Sequence, residues 1–304
     1  MENKALTFNA GSFAVFLMIL FGTNAVAIKI TLAGMGALTS AGLRFAIGAT
    51  IIFLWATLNR KQLVLKRAQI APVAISTMFF IIQIALVYLG LNKTDAGRGT
   101  LLINTQPLFV LVLAHYLIPG DSITVKKAVG GILGFAGVIT LLSDQKAVSS
   151  DIRSGDLMLL VSSVIWAGNS IFTKHIINRV TTIQLVFFNM LFAAPLFVGG
   201  GVFFDHTMIH RINTTVCLAL LYQGVVTASF GYVAWTGLLR HYGATALNSF
   251  VFIMPISGVV MSSLVLGESI SLRLLLAMGL ICLSVFCNGI RAPRTFARKH
   301  TLRA

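Results

Sequence analysis

The sequence predicts an all-α integral membrane protein with ten transmembrane helices arranged as two inverted five-helix repeats. Three observations lead to this prediction. The 304 residues are 57% apolar and only 10% charged, whereas about 25% of the residues of a soluble domain are charged. The apolar residues form continuous runs long enough to cross a bilayer, unlike the alternating segments of a membrane barrel. Finally, motifs of the first half recur in the same order in the second half.

Each predicted span has roughly the 20 apolar residues that a helix needs to cross the hydrocarbon core. The first five spans are Ser12–Thr31, Ala37–Leu58, Ile70–Leu89, Gly99–Leu117 and Val125–Leu142. The second five are Leu157–Ile177, Ile183–Phe203, Val216–Leu238, Ala244–Leu266 and Leu272–Ile290. The loops are short, the longest being about Ser143–Asp156. No soluble catalytic domain is therefore expected.

Membrane topology explains the net charge of +15 better than nucleic-acid binding does. Lys and Arg accumulate in the cytoplasmic loops of membrane proteins. With the N-terminus inside, 15 of these residues fall on the inner side, 7 on the outer side, and Arg44 stays within a span. The bias predicts a multi-pass protein of the plasma (bacterial inner) membrane with both termini cytoplasmic. The lipid bilayer is its expected partner, nucleic acid is not, and the basic tail 291–304 would lie near anionic lipid.

Internal repetition divides the ten spans into five plus five. The aligned pairs are Phe21–Asn24 with Trp166–Asn169, Lys29 with Lys174, Pro107 with Pro255, and Gly120–Thr124 with Gly267–Ser271. Because each half has an odd number of spans, the halves must lie in the membrane in opposite orientations. The predicted units are residues 1–147 and 148–290, followed by the tail. Inverted repeats are typical of secondary transporters that hold substrate near the bilayer midplane.

Several of these motifs also carry a family resemblance. They are Phe21-Gly22-Thr23-Asn24 with Lys29, Arg44-Phe45, Pro107, and Gly267-Glu268-Ser269-Ile270. With the duplicated halves, the chain resembles the EamA-type members of the drug/metabolite transporter superfamily over roughly Ser12 to Ile290. The resemblance implies a carrier that commonly exports amino acids or other small metabolites, with spans 1, 3, 4, 6, 8 and 9 lining a central cavity. The family's usual first-span tryptophan is Phe21 here, while the second copy keeps Trp166.

Polar and aromatic side chains within the spans are the predicted substrate contacts. An amide in lipid has no water to bond, so it turns to another helix or to a wet cavity. Bonding between helices is the alternative at each position. The candidates are Asn24, Gln83, Asn104, Trp166, Asn169, Gln223, Tyr232 and Asn248. Together they would suit a small molecule with an apolar body and polar ends.

Three cations and two prolines are candidates for gating or structural roles. A mid-span arginine disfavours insertion by about 2.5–3.5 kcal/mol, so Arg44 must bond carbonyls of the first span or of residues 34–37, or else bind a substrate carboxylate. Lys29 and Lys174 either snorkel towards the membrane surface or act as gate residues. Pro107 and Pro255 are expected to kink spans 4 and 9, either at opposing gates or for packing alone.

The acidic residues and the absence of catalytic motifs narrow the function further. All eight Asp and Glu residues are expected in loops or termini, which argues against proton coupling through a buried carboxylate and favours facilitated movement or exchange. Glu268 could be either a coupling site or a surface turn residue. The sequence contains no zinc-protease pair and no nucleophile elbow. Its three cysteines lack metal-ligand spacing. We therefore expect neither an enzyme nor a cofactor or metal.

The sequence thus predicts a carrier that moves a small organic metabolite, an amino acid or related compound, by alternating access and in the export direction. The alternative is a channel or an auxiliary membrane-interaction subunit without carrier activity. One ten-helix unit is sufficient for a pathway, and the sequence leaves the oligomeric state open.

Overall fold

The computed structural model describes residues 7–118, 123–143, 150–176, 179–235, 237–238, 242, 247 and 250–289. These residues form helices without a strand, apart from one isolated backbone pairing of Met35 with Ile209. In chain order the elements are α1 (Phe8–Gly22), α2 (Asn24–Leu32), α3 (Ala37–Leu58), α4 (Arg67–Lys93), α5 (Ala96–Ile103), α6 (Gln106–Leu117), α7 (Val125–Leu142), α8 (Ser150–Ile176), α9 (Thr182–Phe204), α10 (Thr214–Leu221), a π segment (Tyr222–Gly231), α11 (Ile253–Leu266) and α12 (Leu272–Gly289).

The described helices confirm the prediction of an all-helical integral membrane protein. Eight helical stretches are long and apolar enough to cross a membrane when α1 is joined to α2, α5 to α6, and α10 to the π segment. Two shorter apolar helices follow, at the positions of the last two predicted spans. The bounds of α3 and α7 coincide with the predicted second and fifth spans. That the two short helices also cross the membrane stays a prediction.

Both prolines that were expected to kink a span lie in the first turn of a helix that follows a short turn. α5 ends at Ile103 and α6 begins at Gln106, so Pro107 is in the first turn of α6. Pro255 is in the first turn of α11, which follows a turn at residues 250–252. A proline has no N–H for the carbonyl four residues earlier, but in a first turn that bond is not needed. The Ser163 hydroxyl donates to Leu102 O at 2.8 Å and so bonds a carbonyl beside the first interruption.

The first and eighth spans are irregular where they meet. Thr23 separates α1 from α2, and the Tyr222 hydroxyl donates to Leu20 O at 2.7 Å and also bonds the Thr23 hydroxyl. The π segment that begins at Tyr222 has wider turns than an α-helix, and such segments occur frequently at functional sites. Among the described stretches, the first, the fourth and the eighth are therefore irregular partway along their length.

The helix ends on the side away from Thr7, which we call the far face, are tied together by carboxylates. Asp205 ends α9 and accepts hydrogen bonds from the Leu38 and Thr39 N–H groups at 3.3 and 2.8 Å, and from the Thr39 hydroxyl at 2.8 Å. These N–H groups belong to the first turn of α3, where backbone donors lack helical partners and favour a negative charge. Asp205 therefore caps a helix of the first half from a helix of the second half.

Glu268 forms the corresponding contact for α5. Gly267 ends α11 in the left-handed conformation with φ 68°, a backbone region that glycine adopts without strain. The Glu268 carboxylate that follows accepts from the N–H groups of Ala96 and Gly97 at 2.7 and 2.9 Å. Glu268 is therefore a helix cap between the two halves and not a free turn residue.

Removing the Asp205 cap should destabilise the fold. We expect Asp205→Ala to lower the free energy of unfolding by about 1–2 kcal/mol, because three donors lose their acceptor, and Asp205→Asn to have a smaller effect. Thermal melting of the detergent-solubilised protein measures the change. An unchanged melting temperature for Asp205→Ala would show that this cap does not hold the far face together.

Two small hydrophobic clusters lie at the opposite end of the helices, the near face. One cluster joins α1 to the residues after the π segment, and its buried members are Ala10, Ala14, Leu17, Met18, Leu238 and Leu247. A second joins α4, α8 and α9 through Val73, Ile176, Val180 and Leu185. A single larger core extends through the bundle to the far face, where it includes Leu38 and Ala96. Small clusters therefore lie beside the main core at both faces, because Met35, Val216 and Leu220 form a further one at the far face.

One prediction about charge was wrong, because Asp156 lies inside a helix. α8 begins at Ser150 and not at Leu157, and Asp156 is fully buried within it. Arg98, expected in an outer loop, lies in α5 with 2% exposure and donates to Asp156 at 2.5 Å. The Thr94 hydroxyl adds a bond of 2.7 Å to the same carboxylate. A prediction from apolar runs ends a span at the first charged residue. A charged residue can nevertheless lie inside a helix bundle when an opposite charge pairs with it.

Candidate functional site

Five polar side chains from four elements meet in the interior of the bundle. We call them the central polar cluster, and they are Asn24, Arg44, Tyr88, Gln223 and Thr227. The Tyr88 hydroxyl donates to Gln223 Oε1 at 2.7 Å, and the Thr227 hydroxyl lies 3.1 Å from Asn24 Oδ1. The cluster connects the first, second, third and eighth spans through side chains alone.

Small residues let the backbones approach around this cluster. A side chain at Gly224, in the π segment, would place its Cβ 3.2 Å from Arg44 O and closer still to Ile47. At Gly48, on α3, a Cβ would lie 3.4 Å from Ala228. Close approach of small residues is the usual basis of helix packing in lipid. The glycines therefore position α3 against the π segment, so that the Arg44 side chain reaches Thr227.

Gln223 is the most completely bonded member of the cluster. It is fully buried, and its Nε2 lies 3.0 Å from Ala27 O, 3.2 Å from Thr31 Oγ1 and 3.2 Å from Ala219 O. With Oε1 accepting from Tyr88, each polar atom of the amide has a partner within the protein. This residue joins helices in the arrangement described here, and its contact with a substrate stays a prediction.

Asn169 also bonds between helices. Its Oδ1 accepts from the Ser76 hydroxyl at 2.9 Å, which connects α8 with α4. Asn189, which was not among the predicted contacts, accepts from the Thr77 hydroxyl at 2.8 Å and connects α9 with α4. The two asparagines fix α4 from both sides, which favours the alternative that amides bond neighbouring helices.

Three further candidates are Asn104, Trp166 and Gln83. Asn104 ends α5 and donates from Nδ2 to Thr100 O at 2.8 Å, within its own helix. Trp166 is half-buried. Gln83 in α4 is only 7% exposed and makes no hydrogen bond to any residue that the structure describes. The contact of Gln83 with a substrate stays a prediction.

The remaining candidates are Tyr232, the two lysines and Asn248. Tyr232 is 43% exposed and lines an apolar groove with Ile52 and Val186. Lys29 is half-buried, Lys174 is exposed, and neither has a hydrogen bond or ion pair with the described part of the chain. Asn248 lies outside the described residues.

Two hydroxyl groups of the cluster, on Tyr88 and Thr227, were missed as candidate contacts. A threonine within a span can bond its own helix, as Thr227 does with Gln223 O at 2.8 Å, so its type alone gives no signal. The usable signal was its spacing, because residues four apart, such as Gln223 and Thr227, lie on one helix face. Arg44 donates to these hydroxyls, and bonding to carbonyls of the first span or of residues 34–37 is not observed.

Apolar helices that are interrupted near a buried polar cluster indicate a multi-pass membrane protein. Secondary transporters commonly have this arrangement. The model of the EamA-like transporter family matches residues 9–143 and, a second time, residues 153–290. The chain therefore belongs to the EamA-like transporter family, as its motifs predicted.

Individual relatives agree with this assignment. The chain is 22% identical to the uncharacterized transporter YoaV of Bacillus subtilis, over 94% of this chain and 97% of that protein. It is 27% identical to a protein of Escherichia coli named probable amino-acid metabolite efflux pump, over 92% and 95% of the two chains. A solved crystal structure shares the fold, with a TM-score of 0.66 at 18% identity, over 92% of this chain and 96% of that one.

Proposed function

We propose that this protein is a secondary carrier that exports a small organic metabolite, an amino acid or a related compound. It would work by alternating access between two inverted five-helix repeats, residues 1–147 and 148–290. The amino-acid class is supported by the name of the Escherichia coli relative, and the role of a transporter by the family.

One observation carries the mechanism. The interruption before Pro107 and the turn before Pro255 occur at positions 148 residues apart, one in each segment that the family model matches. Interrupted helices at corresponding positions of two repeats are the best sequence-level indication of a transporter's binding site. Such interruptions allow each half-helix to move without unfolding the rest, which is what a gate requires.

The distribution of contacts suggests which state is described. The far face is held by the Asp205 and Glu268 caps, each of which joins a helix of the second half to a helix of the first, and two small apolar clusters lie beside the main core at the near face. We assign the near face to the cytoplasm, because the bias of Lys and Arg places the N-terminus there. The protein would then be poised to accept its substrate from the cytoplasm.

Counterflow in liposomes tests the proposal. The purified chain is reconstituted, loaded with one unlabelled amino acid at a time, and supplied with the labelled form outside. A carrier should show saturable uptake that depends on the internal amino acid, because each turnover requires a conformational change. Liposomes without protein are the control.

Two results would contradict the proposed carrier function. Absence of exchange for all twenty amino acids and for their decarboxylated amines would exclude the proposed substrate class. Electrical conductance without saturable exchange would favour the channel. For the export direction, we expect cells that overexpress the protein to release the transported compound faster than control cells.

A further inference from the structure

Arg44 is a positive charge in the interior of the bundle whose partners are all neutral. Its Nη1 donates to the Tyr88 hydroxyl at 3.4 Å and its Nη2 to the Thr227 hydroxyl at 3.5 Å. Both distances exceed the usual 2.7–3.2 Å of N–H···O bonds. The Nε atom is buried and has no hydrogen-bond partner. Within the described ranges, no carboxylate lies in ion-pair distance of this guanidinium.

Arg98 provides a comparison within the same protein. Its guanidinium also lies inside a span, but Asp156 neutralises it at 2.5 Å and Leu141 O accepts a further bond at 3.1 Å. An arginine in a span disfavours insertion unless it is paired or reaches water. The chain thus supplies a counter-charge for one spanning arginine and, among the described residues, none for the other.

We propose that Arg44, together with the Tyr88 and Thr227 hydroxyls, binds a carboxylate of the transported molecule. This inference rests on the proposed carrier function and adds to it a binding group and a chemical requirement on the substrate. The planar guanidinium presents paired N–H donors that match the two oxygens of a carboxylate. Binding would supply the missing negative charge and a partner for the unbonded donor.

The surroundings of Arg44 are already organised for this exchange of partners. Tyr88 is held by Gln223 at 2.7 Å, and Thr227 has acceptors in Gln223 O at 2.8 Å and Asn24 Oδ1 at 3.1 Å. Both hydroxyls therefore keep their positions when the guanidinium turns towards a ligand. The two long bonds that Arg44 gives up are weak, since hydrogen bonds weaken as they lengthen.

The cluster favours a monoanion over a phosphate. It offers one fixed cation, and the guanidinium carbon lies 5.2 Å from the ring centre of Phe45, so an aromatic ring occupies one side of the group. Lys29, the basic residue on α2, makes no hydrogen bond to this cluster. A doubly charged phosphate would need a second cation or several backbone donors, whereas one guanidinium is sufficient for a carboxylate.

The test compares each amino acid with the amine that lacks its carboxylate. Using the same liposomes, L-phenylalanine is paired with phenethylamine and L-leucine with isoamylamine, and the pairing is extended to any other amino acid that exchanges. For the wild-type protein, the half-saturation concentration of the amino acid should be at least tenfold lower than that of the matching amine. Arg44→Gln should raise the half-saturation concentration of the amino acid by about 30-fold or more, as the loss of a buried charge partner does. It should leave the half-saturation concentration of the amine nearly unchanged. Arg44→Lys should be intermediate.

The controls separate a binding role from a structural one. Arg67→Gln removes an exposed arginine at the start of α4 and should leave both half-saturation values unchanged. If Arg44→Gln does not fold, Tyr88→Phe takes its place, because loss of this hydroxyl should weaken binding of the amino acid and not of the amine. The preference of the wild-type protein for the amino acid is a further test that needs no variant. If the wild-type protein binds the amino acid and its amine with equal affinity, the proposed carboxylate site is wrong, although the proposed carrier function is not contradicted. The same follows if an Arg44→Gln protein folds and keeps its affinity for the amino acid. Absence of exchange by every pair overturns the carrier itself.

Discussion

Replacement of Asp156 by Ala is expected to lower the free energy of unfolding by about 3–5 kcal/mol, because it leaves the Arg98 guanidinium buried without its counter-charge. Asp156 is fully buried and accepts from both Arg98 and Thr94. Asp156 therefore anchors the starts of α5 and α8 to each other. Thermal melting in detergent, together with the yield of monodisperse protein, measures the effect.

A second ion pair provides the matched control. Lys93 and Asp151 lie 3.8 Å apart, and their side chains are 39% and 79% exposed, so Asp151→Ala should change the stability by no more than about 1 kcal/mol. The double variant Arg98→Met with Asp156→Leu should recover much of the loss, since replacing a buried pair with apolar groups is often neutral. If Asp156→Ala melts like the wild type, the pair does not hold these helices together.

The sequence predicted the helices well because lipid imposes a simple requirement. A span needs about 20 apolar residues with internal backbone bonds, so α3 and α7 could be bounded correctly by hydropathy alone. The start of α8 was missed for the same reason. Hydropathy marks Asp156 as an end, and only the three-dimensional position of Arg98 shows that the charge is neutralised inside the bundle.

The interior of the site was predictable only in part. Asn24 and Gln223 were found because an amide within a span must bond something, and both belong to the central polar cluster. Their partners depend on how four helices meet, which no single stretch of sequence encodes. The interruption at Thr23 is a further example. It coincides with the position where Tyr222 of another span bonds Leu20 O.

The second large effect is expected at the crossing of α1, α5 and α11. A Cβ on Gly258 would lie 2.8 Å from Gly22 O and 2.7 Å from Thr100 Oγ1, which is closer than real Cβ contacts. Gly258→Ala should therefore destabilise this arrangement by about 1–3 kcal/mol, the usual effect of overpacking. Gly279→Ala on α12 is the control, because nothing lies within 4 Å of its Cβ position, and alanine there should stabilise the helix by up to about 1 kcal/mol.

Melting alone cannot distinguish a weaker fold from a shifted equilibrium, so the Gly258 variant needs a second measurement. If the proposed alternating access is correct, the crossing separates when the far face opens, and the added methyl group should increase the population of that state. A cysteine at Ile28, a position with 1% exposure in α2, reports the opening when Cys217, Cys282 and Cys287 are replaced. We expect Gly258→Ala to accelerate thiol labelling there from the far side, and Gly279→Ala to leave the rate unchanged. A lower melting temperature with unchanged labelling would instead mean that Gly258 serves packing in a single conformation.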